Sequence, residues 1–337
     1  MHRLRMYPSE LRPIRQRAGT TVHFVGGGVG RRVITFKISL SPAPYTGTKT
    51  GEKMLRRSLL ITLSLLFMDA AALRAYQQAD GKAELQSALR FEGETVDFWH
   101  GFQRHRFQFD GMEAWVVEPK KARGDGAFSW CMMFPDAFTE RCAAPMLLDH
   151  GFHHVYLAVG NTFGSPAAIK KLRAFHQELE NRGLSSKSVL IGISRGGLYA
   201  HRYAVEYPDH VSVIYGDAPV LDFKSWPGGF GKGKGSPGDW QEVLKLYGFA
   251  TDAEAKAYVG NPIDTLEVLA KKRIPLIYVA GDADEVVPIE ENAAIVEERY
   301  RKLGGTVELI RKAGVGHHPH GLDDPAPVVA FIERHAK

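Results

Sequence analysis

The chain has 337 residues, with 43 Lys and Arg against 38 Asp and Glu and a formal charge of +5. A hydrophobic fraction of 44% beside 24% charged residues is that of a globular protein and excludes a disordered or multi-pass membrane chain. Two cysteines exclude a disulfide scaffold and a thiolate-rich zinc framework. The basic excess sits at one end. Residues 1–57 carry twelve Lys or Arg and two acids, a charge of +10, which leaves −5 for residues 58–337. The body is acidic, so no nucleic-acid partner is expected.

Residues 1–53 are rich in Arg, Gly, Pro and Thr and show no sustained apolar period, so they are expected to be a non-native or disordered extension. Gly26 to Gly30 lacks the surrounding βαβ pattern that a dinucleotide loop needs. Met54-Leu55-Arg56-Arg57 then leads into an eleven-residue apolar run, Ser58 to Met68, followed by Ala70 and Ala72. A charged start, a short apolar run and an A-x-A step are the parts of a secretory signal, expected here over residues 54–75. The run falls short of the roughly 20 residues that span a bilayer. The expected product is secreted or periplasmic, with no stable membrane insertion after cleavage. Residues 76–100 read as a linker and 101–337 as the folded domain.

From residue 101 short β-type runs alternate with helical stretches, which predicts an α/β fold with a mostly parallel central sheet flanked by helices. Arg104 to Asp110 and Glu113 to Glu118 flank Gly111 as an opening hairpin. Ser129 to Phe134, Val155 to Val159, Ser188 to Ile193 and Val211 to Tyr215 read as core strands, with helices near 166–182 and 196–207. Ile274 to Ala280 and Thr306 to Arg311 read as two further strands, separated by a helix near 289–303 and closed by one near 325–335. Residues 222–273 break the alternation. Their Gly-rich start and two short helical patterns read as a cap insertion with a flexible edge. Its GKGKGS stretch lacks the spacing of a phosphate-binding loop.

The strongest chemical signal is Gly192-Ile193-Ser194-Arg195-Gly196 with Gly197 after it. An apolar strand enters this G-x-S-x-G and an amphipathic helix leaves it, the context of a nucleophile elbow. Small residues two before and two after Ser194 permit a sharp turn that lifts the hydroxyl above the sheet. A serine needs a base, and the base an orienting acid. Acids follow the strand ending at Ala280, in GDADEVVP, and histidines follow the next strand, in GVGHHPH. H-H-x-H lacks carboxylate or thiolate partners of recognised spacing and is not read as a metal site.

With the elbow and the order Ser, acid, His in place, the chain resembles the serine hydrolases of the α/β-hydrolase fold, over roughly residues 101–337. The resemblance implies Ser194 as nucleophile, Asp284 of the G-x-x-D-x-x-V-P turn as acid and His317 of the G-x-G-H loop as base. Asp217 is the alternative acid and His318 the competing base. An oxyanion hole would use the amides of Arg195 and, in place of the family's usual His-Gly pair, Phe134, since Pro135 has no N–H. The Arg195 side chain could pair with a substrate carboxylate. Trp226 and Trp240 in the cap are candidates for stacking on substrate. The expected activity is cleavage of a carboxylic ester, small-molecule or carbohydrate, through an acyl-enzyme, without cofactor or metal. Export points to polysaccharide-derived material. The alternatives are a small peptidase of prolyl-oligopeptidase type and a non-catalytic binding protein on the same scaffold. Cys131 and Cys142 are read either as a pair or as buried thiols.

Overall fold

Three antiparallel strands open the sheet: β1 (Thr95–Trp99), β2 (Phe102–Phe109) and β3 (Met112–Val117). The turn between β2 and β3 is Asp110-Gly111, with φ of 49° and 72°, the two positive values that a two-residue hairpin demands and that Asp-Gly tolerates. β1 lies inside the stretch read as linker. Its Val96 and Phe98 are 50% and 75% exposed, so this edge strand carries no core-facing apolar run to betray it in the sequence. The computed structural model describes residues 89–337; the expected signal segment and basic extension lie outside the described residues. Among the described residues no helix is long and apolar enough to cross a membrane.

The rest of the sheet is β4 (Phe128–Cys131), β5 (His153–Leu157), β6 (Ser188–Ile193), β7 (Val211–Asp217), β8 (Leu276–Gly281) and β9 (Val307–Lys312). The spatial order is β1-β2-β3-β5-β4-β6-β7-β8-β9, parallel from β5 onward. β4, β6 and β8 are buried at every residue, as strands covered on both faces must be. Their side chains alternate between two core layers. In β6, Leu190 joins the layer under α2 (Pro166–Asn181) and α3 (Gly196–Glu206). Val189, Ile191 and Ile193 join the opposite layer, under α1 (Ala144–Asp149) and α8 (Ala326–His335).

The strand expected over Ser129 to Phe134 is shorter than its apolar run. The Met132 amide still reaches Ile191 O (2.9 Å), but Phe134 turns to a φ of +60° and carries the chain out of the sheet. That departure matters for position. The chain crosses from β4 to β5 on one side and returns over β4 to β6, so the strand order reverses between β4 and β6. A crevice opens at the carboxyl ends of strands at such a reversal, and Phe134 and Ser194 both sit there.

Between β7 and β8 the insertion folds as α4 (Pro237–Tyr247), α5 (Asp252–Ala257), a 3-10 turn (Pro262–Asp264) and α6 (Leu266–Lys271). α7 (Ala293–Lys302) then precedes β9. The Gly-rich edge makes specific contacts with the segment that follows β8. Lys234 N donates to Glu285 O (2.8 Å), Lys232 N donates to the Glu291 carboxylate, and the two lysine ammoniums pair with Glu290 and Glu285. A Cβ on Gly233 would stand 2.7 Å from Pro288 Cδ, so its lack of a side chain lets this edge lie against the turn that follows β8.

Candidate active site

Ser194 follows β6 and starts the turn into α3 at a φ of +51°, a left-handed conformation that residues other than Gly, Asn and Asp seldom adopt. The neighbours hold it there: Ser194 N donates to Asp217 O (2.8 Å), and Ser194 O accepts from Val220 N (2.8 Å) and Gly197 N (3.0 Å). The turn is possible only because backbone packs on backbone. A Cβ on Gly192 would lie 2.9 Å from Gly196 O, and one on Gly197 would lie 2.7 Å from Val220 O, whereas one on Gly196 would meet Met133 Cβ at an ordinary 3.4 Å. Gly197→Ala is therefore expected to lower unfolding stability by about 1–3 kcal/mol. Gly196→Ala should change it by less than about 0.5 kcal/mol. Urea titration of the two variants checks the contrast.

His317 lies on the loop after β9, where its ring bridges two partners. Its Nε2 accepts from Ser194 Oγ at 3.0 Å, and its Nδ1–H donates to Asp284 Oδ2 at 2.7 Å. Asp284 lies in the turn after β8 with its side chain fully buried, and its other oxygen accepts from Val286 N (2.8 Å) and Val287 N (2.9 Å). Burial by itself would raise this carboxyl. The hydrogen bonds from His317 and from the Val287 and Val286 amides outweigh it and hold the group below the usual carboxylate range, so it stays charged. The structure brings together Ser194, Asp284 and His317 in one hydrogen-bonded line, 123 and 33 residues apart in sequence.

The competing residues take other partners. Asp217, fully buried, accepts from His320 Nδ1 (2.7 Å), the Gly321 amide (2.8 Å) and the Tyr215 hydroxyl (2.8 Å), so its carboxylate is occupied away from His317. His318 is exposed, and its ring packs edge-on to His317 at 5.0 Å between centroids. His154, His176 and His201 are fully buried, and desolvation pushes them down to about 3, 3 and 4, neutral packing residues. Cys131 and Cys142 are buried and unpaired, and burial lifts the Cys131 thiol to about 12, too high for a nucleophile.

Two backbone amides in this region have no hydrogen-bond acceptor among the described residues. Among the described residues no carbonyl or carboxylate takes the Arg195 amide or the Phe134 amide, while Phe134 O itself accepts from Ala137 N (3.0 Å). The Arg195 guanidinium lies 4.9 Å over the Trp226 ring and 5.6 Å from both Phe134 and Phe163. One of its N–H groups donates to Asn161 Oδ1 (2.6 Å), and Asp239 lies 3.5 Å away. Trp240, the other cap tryptophan, is buried against Phe230 and Phe223 and donates to Asp252, so it packs the cap. Sequence reasoning passed over Asn161 and Phe163. Their signal is positional: both sit just past the carboxyl end of β5.

No protein-family model matches the sequence, and no curated protein matches it. Solved structures do. The acylaminoacyl peptidase of Pyrococcus horikoshii superposes with a TM-score of 0.52 at 14% identity, over 72% of this chain and 42% of its own. A puromycin hydrolase gives 0.51 at 16% identity, over 71% of this chain and 38% of its own. The chain has the α/β-hydrolase fold. An S-formylglutathione hydrolase from Agrobacterium tumefaciens shares it with a TM-score of 0.50 at 14% identity, over 71% of this chain and 95% of its own. The chain thus spans well under half the length of the first two and corresponds to nearly all of the third. Along this chain Ser194 follows β6, Asp284 follows β8 and His317 follows β9.

Proposed function

We propose that this protein is a serine hydrolase that cleaves a carboxylic ester by acyl transfer, with Ser194, His317 and Asp284 as its triad. One observation carries the reading: the continuous line from Ser194 Oγ through both nitrogens of His317 to a buried, ionised Asp284. Ser194 Oγ attacks the carbonyl carbon as His317 Nε2 takes its proton, and Asp284 stabilises the imidazolium. The amides of Arg195 and Phe134 receive the developing oxyanion, a contribution of about 3 kcal/mol for each donor. His317 then protonates the leaving alcohol, and water repeats the sequence to free the acid. The rings of Phe134, Phe163 and Trp226 around Arg195 give the substrate an aromatic wall with a cation in it, which suits an acyl or alcohol part bearing a carboxylate. Export through the segment 54–75, with polysaccharide-derived esters as substrates, belongs to the same reading.

Labelling with a fluorophosphonate probe, followed by turnover of p-nitrophenyl acetate beside a panel of dipeptide naphthylamides, tests it. Ser194 should be the labelled residue and ester turnover should exceed amide turnover. An unlabelled Ser194 would sink the hydrolase reading; faster amide turnover would favour a peptidase, the activity named for the Pyrococcus relative. Asp284→Asn should lower kcat by about 10⁴, because the amide holds the wrong tautomer of His317. Asp217→Asn, whose side chain bonds His320 instead, should leave the ester reaction within about tenfold of wild type.

A further inference from the structure

The loop after β9 gathers three imidazoles. His317, His318 and His320 each offer one ring nitrogen, and the three nitrogens lie within 4.8 Å of one another. The ring centroids stand 5.0, 4.9 and 4.8 Å apart, all close to perpendicular, so the rings do not stack. We infer that these three histidines form a binding site for a divalent metal ion of the zinc type, and that the ion silences the hydrolase by taking His317 Nε2 from Ser194.

Two of the three ligands are prepared in the same way, with a carboxylate behind Nδ1. His320 donates its Nδ1–H to the fully buried Asp217, which leaves the lone pair on Nε2. A carboxylate behind an imidazole fixes the tautomer and raises the basicity of a metal-binding histidine. His317 has the same arrangement, with Asp284 behind Nδ1 and the lone pair of Nε2 facing Ser194 Oγ. His318 is exposed, and among the described residues neither of its ring nitrogens has a hydrogen-bond partner, so it can swing to complete the set. Zinc–imidazole bonds of about 2.0–2.1 Å put ligand nitrogens about 3.3 Å apart, so the cluster has to close by up to about 1.5 Å. Three neutral imidazoles suit zinc, copper or nickel and leave a fourth position for water. On binding, the Ser194 O–H···Nε2 hydrogen bond breaks and the metal accepts the lone pair in its place. The serine keeps its proton, and no group is left to remove it.

The metal site stands apart from the ester reading, but the loss of turnover rests on it, so the two are read separately. Full-length protein, treated with EDTA and desalted, is titrated with Co²⁺ by visible absorption and with Zn²⁺ by calorimetry. One ion per chain is expected, with the visible bands of four- or five-coordinate Co²⁺. His318→Ala, at an exposed position that leaves the fold intact, should weaken binding by at least about tenfold. Turnover of p-nitrophenyl acetate in the same samples should fall in proportion to occupancy and return with EDTA. Binding that is absent, substoichiometric or unchanged in His318→Ala would overturn the site. Stoichiometric binding with undiminished or increased turnover would overturn the silencing. Binding through His318 in a protein that turns over no ester when metal-free would support the site and count against the ester reading alone.

Discussion

Ser194→Ala should lower kcat for p-nitrophenyl acetate by about 10⁴–10⁶ and abolish fluorophosphonate labelling while the protein still folds. The size follows from what the hydroxyl does. On the proposed mechanism its loss prevents an acyl-enzyme and leaves only binding and the two amides to assist direct attack by water. The fold should survive because alanine meets the same backbone at a φ of +51° and loses a single hydrogen bond, the one to His317. Circular dichroism and urea unfolding of the variant provide the control. A variant that retains a tenth of the activity would remove Ser194 from the chemistry. A glycine at the same place gives a second check: it relieves the left-handed strain and should be more stable than the alanine variant by about 1 kcal/mol, yet equally inactive.

The second large effect separates two adjacent residues. His317→Ala should cost about as much as the loss of the serine, because the members of such a line act as a unit. His318→Ala should leave kcat within about twofold in metal-free buffer, since its ring meets His317 edge-on and it is His317 that hydrogen-bonds Ser194 and Asp284. Steady-state kinetics with both variants after EDTA treatment check this. Activity lost only in His318→Ala would transfer the base to the neighbour and leave the 3.0 Å contact of His317 with Ser194 without a function.

The sequence announced the parts of the fold that rest on strong local signals. The continuous apolar runs of β6 and β8 can be read because strands buried on both faces have no polar alternation. G-x-S-x-G could be placed because a strand leads into it and a helix leaves it. β1 escaped notice because it is an edge strand with Val96 and Phe98 in solvent and only Trp99 buried. The end of β4 was overrun because Met132 and Met133 are as apolar as a strand, and only the turn at Phe134 reveals the exit. The site divides in the same way. The G-x-S-x-G motif pointed to Ser194 and the family resemblance selected Asp284 and His317, whereas the ring of Phe134, Phe163 and Trp226 around Arg195 is drawn from three loops that the topology, not the spacing, assembles. The Gly-rich edge looked loose because glycine is common in loose chain. Here its missing side chains serve close approach to the acid turn.

Asp217 ties the two halves of the proton path to one point. Its carbonyl oxygen holds the Ser194 amide (2.8 Å), and its carboxylate holds His320 (2.7 Å) and the Gly321 amide (2.8 Å), on the loop that carries His317. Ser194 and His317 are thus surveyed from a common benchmark at the end of β7, the fully buried Asp217. That benchmark lies in β7, outside the cap. The gap across which the proton moves is a property of the core and not of the crevice above it.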